Sequence, residues 1–383
     1  MKRRQTSRKV VKVFDIANSY GQVQKSGHAL ACRGIGLVPF ILALAVFVLQ
    51  GKACAAPPPT FTLAWSEYPS WSVFGVADEV GLLNGSRGKL GLLEIKHGVD
   101  IELKQADYDA CIQMYAAGGV DAVCLTNIDA VNPSMGRGSV AFLPTSTSQG
   151  ADALITAGVA DVRELRGKKV FGLARSVSEY CFVRNLEVLG ESEDNYVFTN
   201  KDPAAAALAM QQKQAGYDAI VVWNPFLLST LEGRSDAKVL FDSTSIPREI
   251  IDMVVMGEDV ARRDRGSNFA RCVVDIFYAM NRRMEDPTTS DDTLVAIGEK
   301  FSNLGLEGMK KVVKQTAFFG TADEAVNLLQ SADLRKVMKR VVTFCREHEM
   351  ISGDPIVVYS DEPLSGVGLR FSTQFVREVQ ESY

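Results

Sequence analysis

Apolar runs and helical segments alternate along the first half of the chain. We predict strands at 61–64, 99–103 and 120–125, and helices at 74–83 and 107–117. Asp107 is a typical N-cap residue, and Gly118 and Gly119 are typical of the position just past a helix. Alternation of this kind predicts a parallel sheet covered by crossover helices.

A second unit of similar build begins near Leu154. We predict a turn and strand at 165–173, a helix at 176–189, a helix that begins at Asp202 and Pro203, and an apolar strand at 216–223. This last strand repeats the pattern of 119–125, in which a helix ends at glycine and an apolar run leads into polar residues. Because open α/β sheets bind ligands at the carboxyl ends of strands, we expect both halves to face one cleft.

Helical periodicity dominates the rest of the chain. We predict helices at 268–283, 291–304, 321–330 and 334–349, followed by a tail at 351–383 that is rich in Gly, Ser and Pro. The expected fold class is α/β with two lobes and a helical C-terminal part.

The first 55 residues differ from the rest. They contain nine Lys or Arg and a single acidic residue, then an apolar run at 35–49, then small residues before three prolines. This order predicts a signal peptide cleaved after Ala55, and the run of about 15 residues is short of the roughly 20 that span a bilayer. An uncleaved anchor and a lipidated Cys54 are the alternatives.

Charge, cysteine and histidine content narrow the classes of function. Without its leader the chain has 33 basic and 45 acidic residues, a net charge of −12, which disfavours binding to nucleic acid. The five remaining cysteines show no CxxC spacing, so we expect them to be mostly buried apolar residues, with one disulfide possible. Only His97 and His348 remain, which disfavours a metal site or a catalytic triad built on histidine.

Aromatic and acidic side chains follow the first predicted strand. Trp65, Glu67 and Trp71 lie in or near the loop after 61–64, and Trp223 ends the matching strand of the second unit. These are the three tryptophans of the chain. Although core packing is the usual role of an indole, three at such junctions favour an aromatic cage, which attracts cations.

Other candidate residues also follow strands. Asn127 and Asp129 come directly after 120–125, where such residues are also common simply because they close turns. Ser178, Glu179 and Tyr180 open the helix at 176–189, whose free N–H groups suit an anion or a carbonyl oxygen. Motifs of hydrolases, phosphate-binding loops and zinc peptidases are absent from the sequence, which argues against an enzyme.

Four short motifs in order resemble one family. They are Thr126-Asn-Ile-Asp-Ala130, Ser176-Val-Ser-Glu-Tyr180, Val222-Trp-Asn-Pro225 and the segment 241–252. Together with the turn at 165–170, they resemble the periplasmic solute-binding proteins of ABC importers in the nitrate/taurine/sulfonate superfamily. More narrowly, they resemble a subgroup encoded beside urea carboxylase genes and associated with urea or guanidinium.

The resemblance implies a two-lobed type II periplasmic-binding-protein fold with two crossing strands, near 151–156 and 251–256. It implies a signal peptide at 1–55, lobe 1 at 56–152 and 255–383 including the tail, and lobe 2 at 153–254. The site it implies, in which Trp65, Asn127 and Glu179 share one cavity, comprises Trp65, Glu67, Trp71, Asn127, Asp129, Asp152, Ser178, Glu179, Tyr180, Trp223, Asn224, Glu249 and Asp252. Glu179 stands where the family commonly has histidine.

The resemblance also implies a function. We expect a monomeric periplasmic protein, without cofactor or metal, that captures guanidinium or urea and delivers it to an inner-membrane permease. Guanidinium has only N–H donors, so it suits carboxylates around its edge and aromatic faces. The alternatives are an anion-binding protein of the sulfonate, nitrate or taurine type, for which Arg175 is the nearest cation, an enzyme like the pyrimidine-precursor synthases of this fold, and an anchored sensor domain.

Overall fold

The computed structural model describes residues 56–301 and 304–381. The predicted signal peptide at 1–55, including Cys54, lies outside the described residues. Within the described ranges, none of the helices has both the length and the apolar character needed to cross a membrane.

Strands and helices are interspersed as far as β10, and helices dominate afterwards. The strands are β1 (Thr60–Trp65), β2 (Asp100–Gln105), β3 (Ala122–Thr126), β4 (Ser139–Ser148), β5 (Asp152–Ala157), β6 (Lys169–Gly172), β7 (Val197–Asn200), β8 (Ala219–Trp223), β9 (Ala237–Asp242), β10 (Ile251–Gly257), β11 (Thr316–Phe318), β12 (Val357–Tyr359) and β13 (Leu369–Phe371). The helices are α1 (Pro69–Glu79), α2 (Leu92–His97), α3 (Tyr108–Ala116), α4 (Val131–Gly136), α5 (Val177–Val188), α6 (Pro203–Gln211), α7 (Phe226–Gly233), α8 (Glu258–Arg262), α9 (Gly266–Glu285), α10 (Ser290–Lys300), α11 (Leu306–Gln315), α12 (Ala322–Gln330), α13 (Ala332–Glu347) and α14 (Gln374–Gln380).

The strands form two sheets. The first has the order β12-β13-β4-β10-β3-β1-β2, with β11 paired to β4, and the second has the order β7-β6-β8-β5-β9. Strand β10 runs antiparallel to both β3 and β4, whereas β1 is parallel to β2 and β3. The mixed α/β fold with two sheets agrees with the expected class.

The chain passes between the sheets twice. It leaves the first sheet after Ser148 and enters the second at Asp152, and it returns between Asp242 and Ile251. Residues 251–257 therefore pair within the first sheet. The proposed lobe boundaries at 152 and 254 stay predictions. Each passage ends directly before a strand, β5 at Asp152 and β10 at Ile251.

Each sheet has its own apolar core. The larger core surrounds the first sheet and includes residues of α9, α12, α13 and α14, whereas two smaller clusters cover the faces of the second sheet. The five cysteines in the described residues are all buried and free, so the apolar role expected of them is confirmed and no disulfide forms among them.

Strand β4 is the main element that the pattern did not predict. Its sequence, SVAFLPTSTS, contains a proline and four consecutive hydroxyl residues, yet all ten residues are buried. The hydroxyls are tolerated because they are hydrogen-bonded: Thr147 Oγ1 donates to the Ile250 carbonyl at 2.7 Å and Ser148 Oγ lies 2.7 Å from Ser243 Oγ. Asp107 precedes α3 but makes no side-chain cap, contrary to the prediction.

Candidate functional site

A small cavity lies between the two sheets. In this conformation the cavity is small, with room for about one water molecule. Its lining residues come from both sheets and are mostly aromatic or acidic: Tyr68, Trp71, Tyr108, Thr126, Asp152, Val177, Trp223 and Asp252.

Strand register brings the polar lining together. Asp252, the second residue of β10, pairs with Thr126 at the end of β3 on one side and with Ser146 of β4 on the other. In the second sheet Asp152, the first residue of β5, pairs with Trp223, the last residue of β8. Each sheet thus presents a carboxylate beside the end of a strand, where open α/β sheets commonly bind ligands.

Aromatic rings form the walls. The Trp71 and Tyr108 rings stack at 5.6 Å between centroids, and Tyr68 lies 4.8 Å from Trp71. Trp223 of the second sheet meets the Tyr108 ring edge-on at 5.7 Å, so rings from both lobes close the cavity. The faces of such rings carry negative electrostatic potential and attract cations.

Two of the carboxyl groups are buried without a cationic partner. Burial raises the pKa of Asp152 to about 7, helped by the nearby Asp129, and burial raises the pKa of Asp252 well above its usual range, helped by Asp152. A hydrogen bond from Ser146 Oγ to Asp252 Oδ2, 2.5 Å long, opposes that shift. No lysine or arginine is among the residues that line this cavity in the described part of the chain.

Asp129 joins the two lobes next to the cavity. Its Oδ2 accepts hydrogen bonds from Tyr108 Oη at 2.6 Å, from Thr126 Oγ1 at 3.0 Å and from the backbone N–H of Val177 at 3.4 Å. Burial raises the pKa of Asp129 to about 6, although these hydrogen bonds pull it down. Asp129 is thus a third acidic group of the same region.

Several buried donors have no partner. Tyr68 Oη and Trp71 Nε1 belong to residues that line the cavity, and neither makes a hydrogen bond of normal geometry. Asp252 nevertheless lies close enough to raise the pKa of Tyr68 further, in addition to the effect of burial. Orphaned polar groups of this kind are costly, so a ligand that satisfies them gains affinity.

A wider outer pocket adjoins the cavity. Tyr108 and Trp223 line both spaces, and the outer one also contains Glu67, Asp107 and Asp109. Burial and the neighbouring Asp107 raise the pKa of Glu67. The structure therefore places Glu67 at the mouth of the site, outside the inner cavity.

Of the expected site residues, the structure brings Trp71, Asp152, Trp223 and Asp252 together around the cavity, but it does not place Trp65, Asn127 and Glu179 there. The expectation that these three share one cavity is wrong. Asn127 donates to the Glu249 carbonyl at 3.1 Å and accepts from the Ile251 N–H at 2.9 Å, which holds the start of β10. Glu179 faces His348 at 3.3 Å.

Trp65 is buried behind the site. Its six-membered ring lies so close to Gly75 of α1 that a Cβ there would come within 3.0 Å of it. The indole thus packs the helix onto β1.

Three further candidates are engaged in contacts of their own. Glu249 accepts from Tyr180 Oη at 2.7 Å and from Arg184 Nε at 2.8 Å, and Arg340 approaches it at 3.1 Å. Asn224 donates to Gln315 at 2.8 Å while its Oδ1 is buried without a partner. These groups join the lobes around the site, since they lie on segments of both.

Ser178 lies in the first turn of α5. Its Oγ is buried and has no hydrogen-bond partner, while its N–H donates to the Oγ of the N-cap Ser176 at 3.2 Å. The residue after it, Glu179, turns away toward His348, so the helix start contributes Val177 rather than a carboxylate to the cavity.

Sequence reasoning missed four lining residues: Tyr68, Tyr108, Thr126 and Val177. Tyr68 and Thr126 lie within the motifs that drew attention, so proximity to a strand end could have indicated them. Tyr108 gave no such signal, because it begins a helix and points into the cleft only through its hydrogen bond to Asp129. Across residues 56–301 and 304–381, no group of three or more His, Cys, Asp or Glu side chains has a geometry that could hold a metal ion.

Comparisons with known proteins rest on structure alone. No protein-family model matches the chain, and no curated protein matches it. Solved structures do. The alkanesulfonate-binding protein SsuA from Xanthomonas axonopodis pv. citri, bound to MOPS, is 14% identical with a TM-score of 0.62, over 78% of this chain and 96% of that one.

Two further structures give the same result. The periplasmic aliphatic sulphonate binding protein SsuA from Escherichia coli is 15% identical with a TM-score of 0.61, over 78% of this chain and 90% of that one. A Candida albicans protein described as having the generic periplasmic binding protein structural fold is 15% identical with a TM-score of 0.56, over 85% and 95% of the two chains. The chain has the periplasmic-binding-protein fold. At these identities the likeness shows the fold and leaves the ligand open.

The buried carboxyl of Asp152 predicts a pH-dependent effect on stability. Its pKa in the folded protein, about 7, lies above the roughly 3.9 of an unfolded chain, so the wild type loses stability as pH rises from about 4 to 7. Asp152→Asn removes this loss. We expect the Tm of D152N minus that of the wild type, both ligand-free, to be more positive at pH 8 than at pH 4. A difference that stays constant over this range in thermal melts would contradict the assignment.

Proposed function

We propose that this protein is the extracytoplasmic solute-binding component of an ABC importer. It captures a small planar nitrogen cation of the guanidinium class between its two lobes and delivers it to an inner-membrane permease. The proposal includes export through a signal peptide, action as a monomer, and a role in binding rather than catalysis.

The buried carboxyl groups carry this proposal. Asp129, Asp152 and Asp252 lie at or beside one cavity, and no positive side chain lines it in the described residues. Burying a charge is costly unless it is paired. A cation between these groups supplies the missing charge, and its N–H groups meet carboxylates that accept hydrogen bonds only.

The size and walls of the cavity support a small flat ligand. The cavity is far smaller than the roughly 300–1,000 Å³ typical of sites for drug-sized ligands. The rings of Trp71, Tyr108 and Trp223 surround the cavity. A planar guanidinium group binds such rings through stacking and cation–π attraction. Urea has the same shape, and Tyr68 Oη or Trp71 Nε1 would donate to its oxygen.

The path of the chain supports capture by closure. Both passages between the sheets lie next to the site, at 149–151 and 243–250, so a small change there moves one lobe against the other. Trp71 lies on α1 and Tyr108 on α3, which flank strands of the first sheet, whereas Trp223 and Asp152 lie on strands of the second sheet. Opening the cleft separates the two halves of the cavity and releases the ligand.

The alternative is an anion-binding protein of the sulfonate, nitrate or taurine type, which the resemblance to the SsuA structures favours. An anionic ligand requires positively charged side chains in its binding pocket. Arg175, the nearest cation suggested by the sequence, is largely exposed and lies 3.4 Å from Glu349 on the surface.

An enzyme like the pyrimidine-precursor synthases is a further alternative. It would use a histidine, but His97 pairs with Asp275 at 3.0 Å and His348 with Glu179 at 3.3 Å. Neither histidine is among the residues that line the cavity.

Calorimetric titration of residues 56–383 with guanidinium, urea, taurine and nitrate tests the ligand class. Each charge-assisted hydrogen bond is worth about 1.5–3 kcal/mol, so we expect guanidinium to bind at least about 100-fold more tightly than urea or the two anions. Millimolar guanidinium is sufficient for this test and is far below denaturing concentrations. Tight binding of taurine with no heat from guanidinium would overturn the proposal.

Two single substitutions, each of which neutralises one carboxylate, test the location of the site. Asp252→Asn keeps the shape of the side chain but removes its charge, so we expect guanidinium affinity to fall at least about 100-fold. Glu179→Gln is the matched control: it removes a charge that faces His348 and should change the affinity less than about fivefold. Equal losses in the two variants by calorimetry would show that the cavity is not the binding site.

A further inference from the structure

A carboxylate of one lobe caps the start of a helix in the other. Helix α5 has 12 residues and begins after its N-cap Ser176. The N–H of Val177, its first residue, donates to Asp129 Oδ2 at 3.4 Å, and Asp129 follows β3 in the other sheet. The same oxygen accepts from Tyr108 Oη and Thr126 Oγ1, so three donors converge on it.

The start of a helix is a general anion-binding position. Its first N–H groups lack partners within the helix and its dipole favours negative charge, so phosphate, sulfate and carboxylate groups bind there. In this protein the position next to Val177 already holds an oxyanion, namely the carboxylate of Asp129.

A second observation at the same helix turn points to an oxyanion. Ser178 is 1% exposed, and its Oγ has no hydrogen-bond partner among the described residues. A buried hydroxyl without a partner is uncommon and leaves a spare donor on the residue that follows Val177. Val177 itself lines the cavity, so the start of α5 borders the space available to the ligand.

We infer that Asp129 is a specificity-determining residue: it is an internal anion that fills the oxyanion position at the start of α5 and thereby excludes sulfonates, sulfate and carboxylates from the cleft. The inference rests on the proposed function in taking this cavity as the ligand site. It predicts that removing the carboxylate of Asp129 opens an anion site in a protein that otherwise rejects anions.

The acidic neighbours decide the conditions of the test. Asp152, Asp252 and Asp109 add negative charge near Asp129 when ionised, and Tyr68 and Tyr108 stay neutral because burial raises their pKa values well above 10. Burial raises the pKa of Asp152 to about 7 and that of Asp252 well above its usual range, which favours their neutral forms, whereas the pKa of Asp129 is about 6. Binding of anions is therefore measured at pH 7, where Asp129 is mostly ionised, and at constant ionic strength.

Asp129→Ala with formate is the central experiment. The substitution keeps Cβ and removes one carboxylate group, which leaves a space of the size of formate. We expect formate to raise the Tm of D129A, and calorimetry to give a Kd for formate at least tenfold lower than that of the wild type. Methanesulfonate should show a gain of the same sign, because its sulfonate group accepts from the same donors.

Two variants serve as controls. Asp129→Asn fills the space with a neutral group of the same shape, so formate should bind it no better than it binds the wild type. Asp252→Ala removes a carboxyl group of the same size from the same cavity at a site away from α5, and we expect it to bind formate at least fivefold more weakly than D129A. If D129A does not fold, as judged by circular dichroism, Asp129→Ser replaces it, because serine leaves room and keeps a hydroxyl for Tyr108.

The outcomes separate this inference from the proposed function. A folded D129A or D129S that binds formate no better than D252A overturns the inference, as does a wild type that binds methanesulfonate. Guanidinium is titrated into the wild type in parallel. If guanidinium binds the wild type while D129A shows no gain in affinity for anions, only the inference fails. If guanidinium does not bind the wild type while D129A gains affinity for formate, the proposed ligand is wrong and the role of Asp129 stands.

Discussion

Burial of carboxyl groups without a cationic partner is the constraint on which the site depends. Asp152 and Asp252 are 3% and 2% exposed, and Asp129 is 4% exposed. Such groups are stable in a protein interior only when they are protonated, hydrogen-bonded or paired with a positive charge. Ser146, Tyr108 and Thr126 supply part of the hydrogen bonding. These hydrogen bonds do not supply a positive charge, and a cation bound in the cavity does.

The fold creates this constraint through strand register and two passages between lobes. Asp152 begins the first strand after one passage, and Asp252 is the second residue after the other, so both carboxyls lie where the two sheets approach each other. The hydroxyls of β4 also position a residue of the site. Ser146 Oγ donates a hydrogen bond to Asp252, and Ser70 Oγ of α1 lies 2.9 Å from Ser146 Oγ. The hydroxyl of Ser146 is thus tolerated in the interior because it is hydrogen-bonded to a buried carboxyl group and to a second serine.

Much of the fold could be predicted from the sequence, but only part of the site. The alternation of apolar runs and helices and the repeat of the pattern at 119–125 in 216–223 pointed to two α/β halves facing one cleft. Position near a strand end indicated Trp71 and Trp223, and the family resemblance indicated Asp152 and Asp252; all four line the cavity. Position near a strand end failed for Asn127 and Glu179, because side-chain direction depends on partners distant in the chain, the Ile251 N–H and His348. Tyr108 was missed for the same reason, because its direction is set by its hydrogen bond to Asp129.

Counting the protons exchanged when ligand binds tests the central claim most directly. If a cation enters among carboxyl groups whose pKa values burial has raised, these groups must lose protons on binding. Titration of guanidinium at pH 6.5 in buffers of different ionisation enthalpy gives this number. The account predicts release of about one proton or more per ligand bound. Binding with no proton exchange, or with proton uptake, would contradict it.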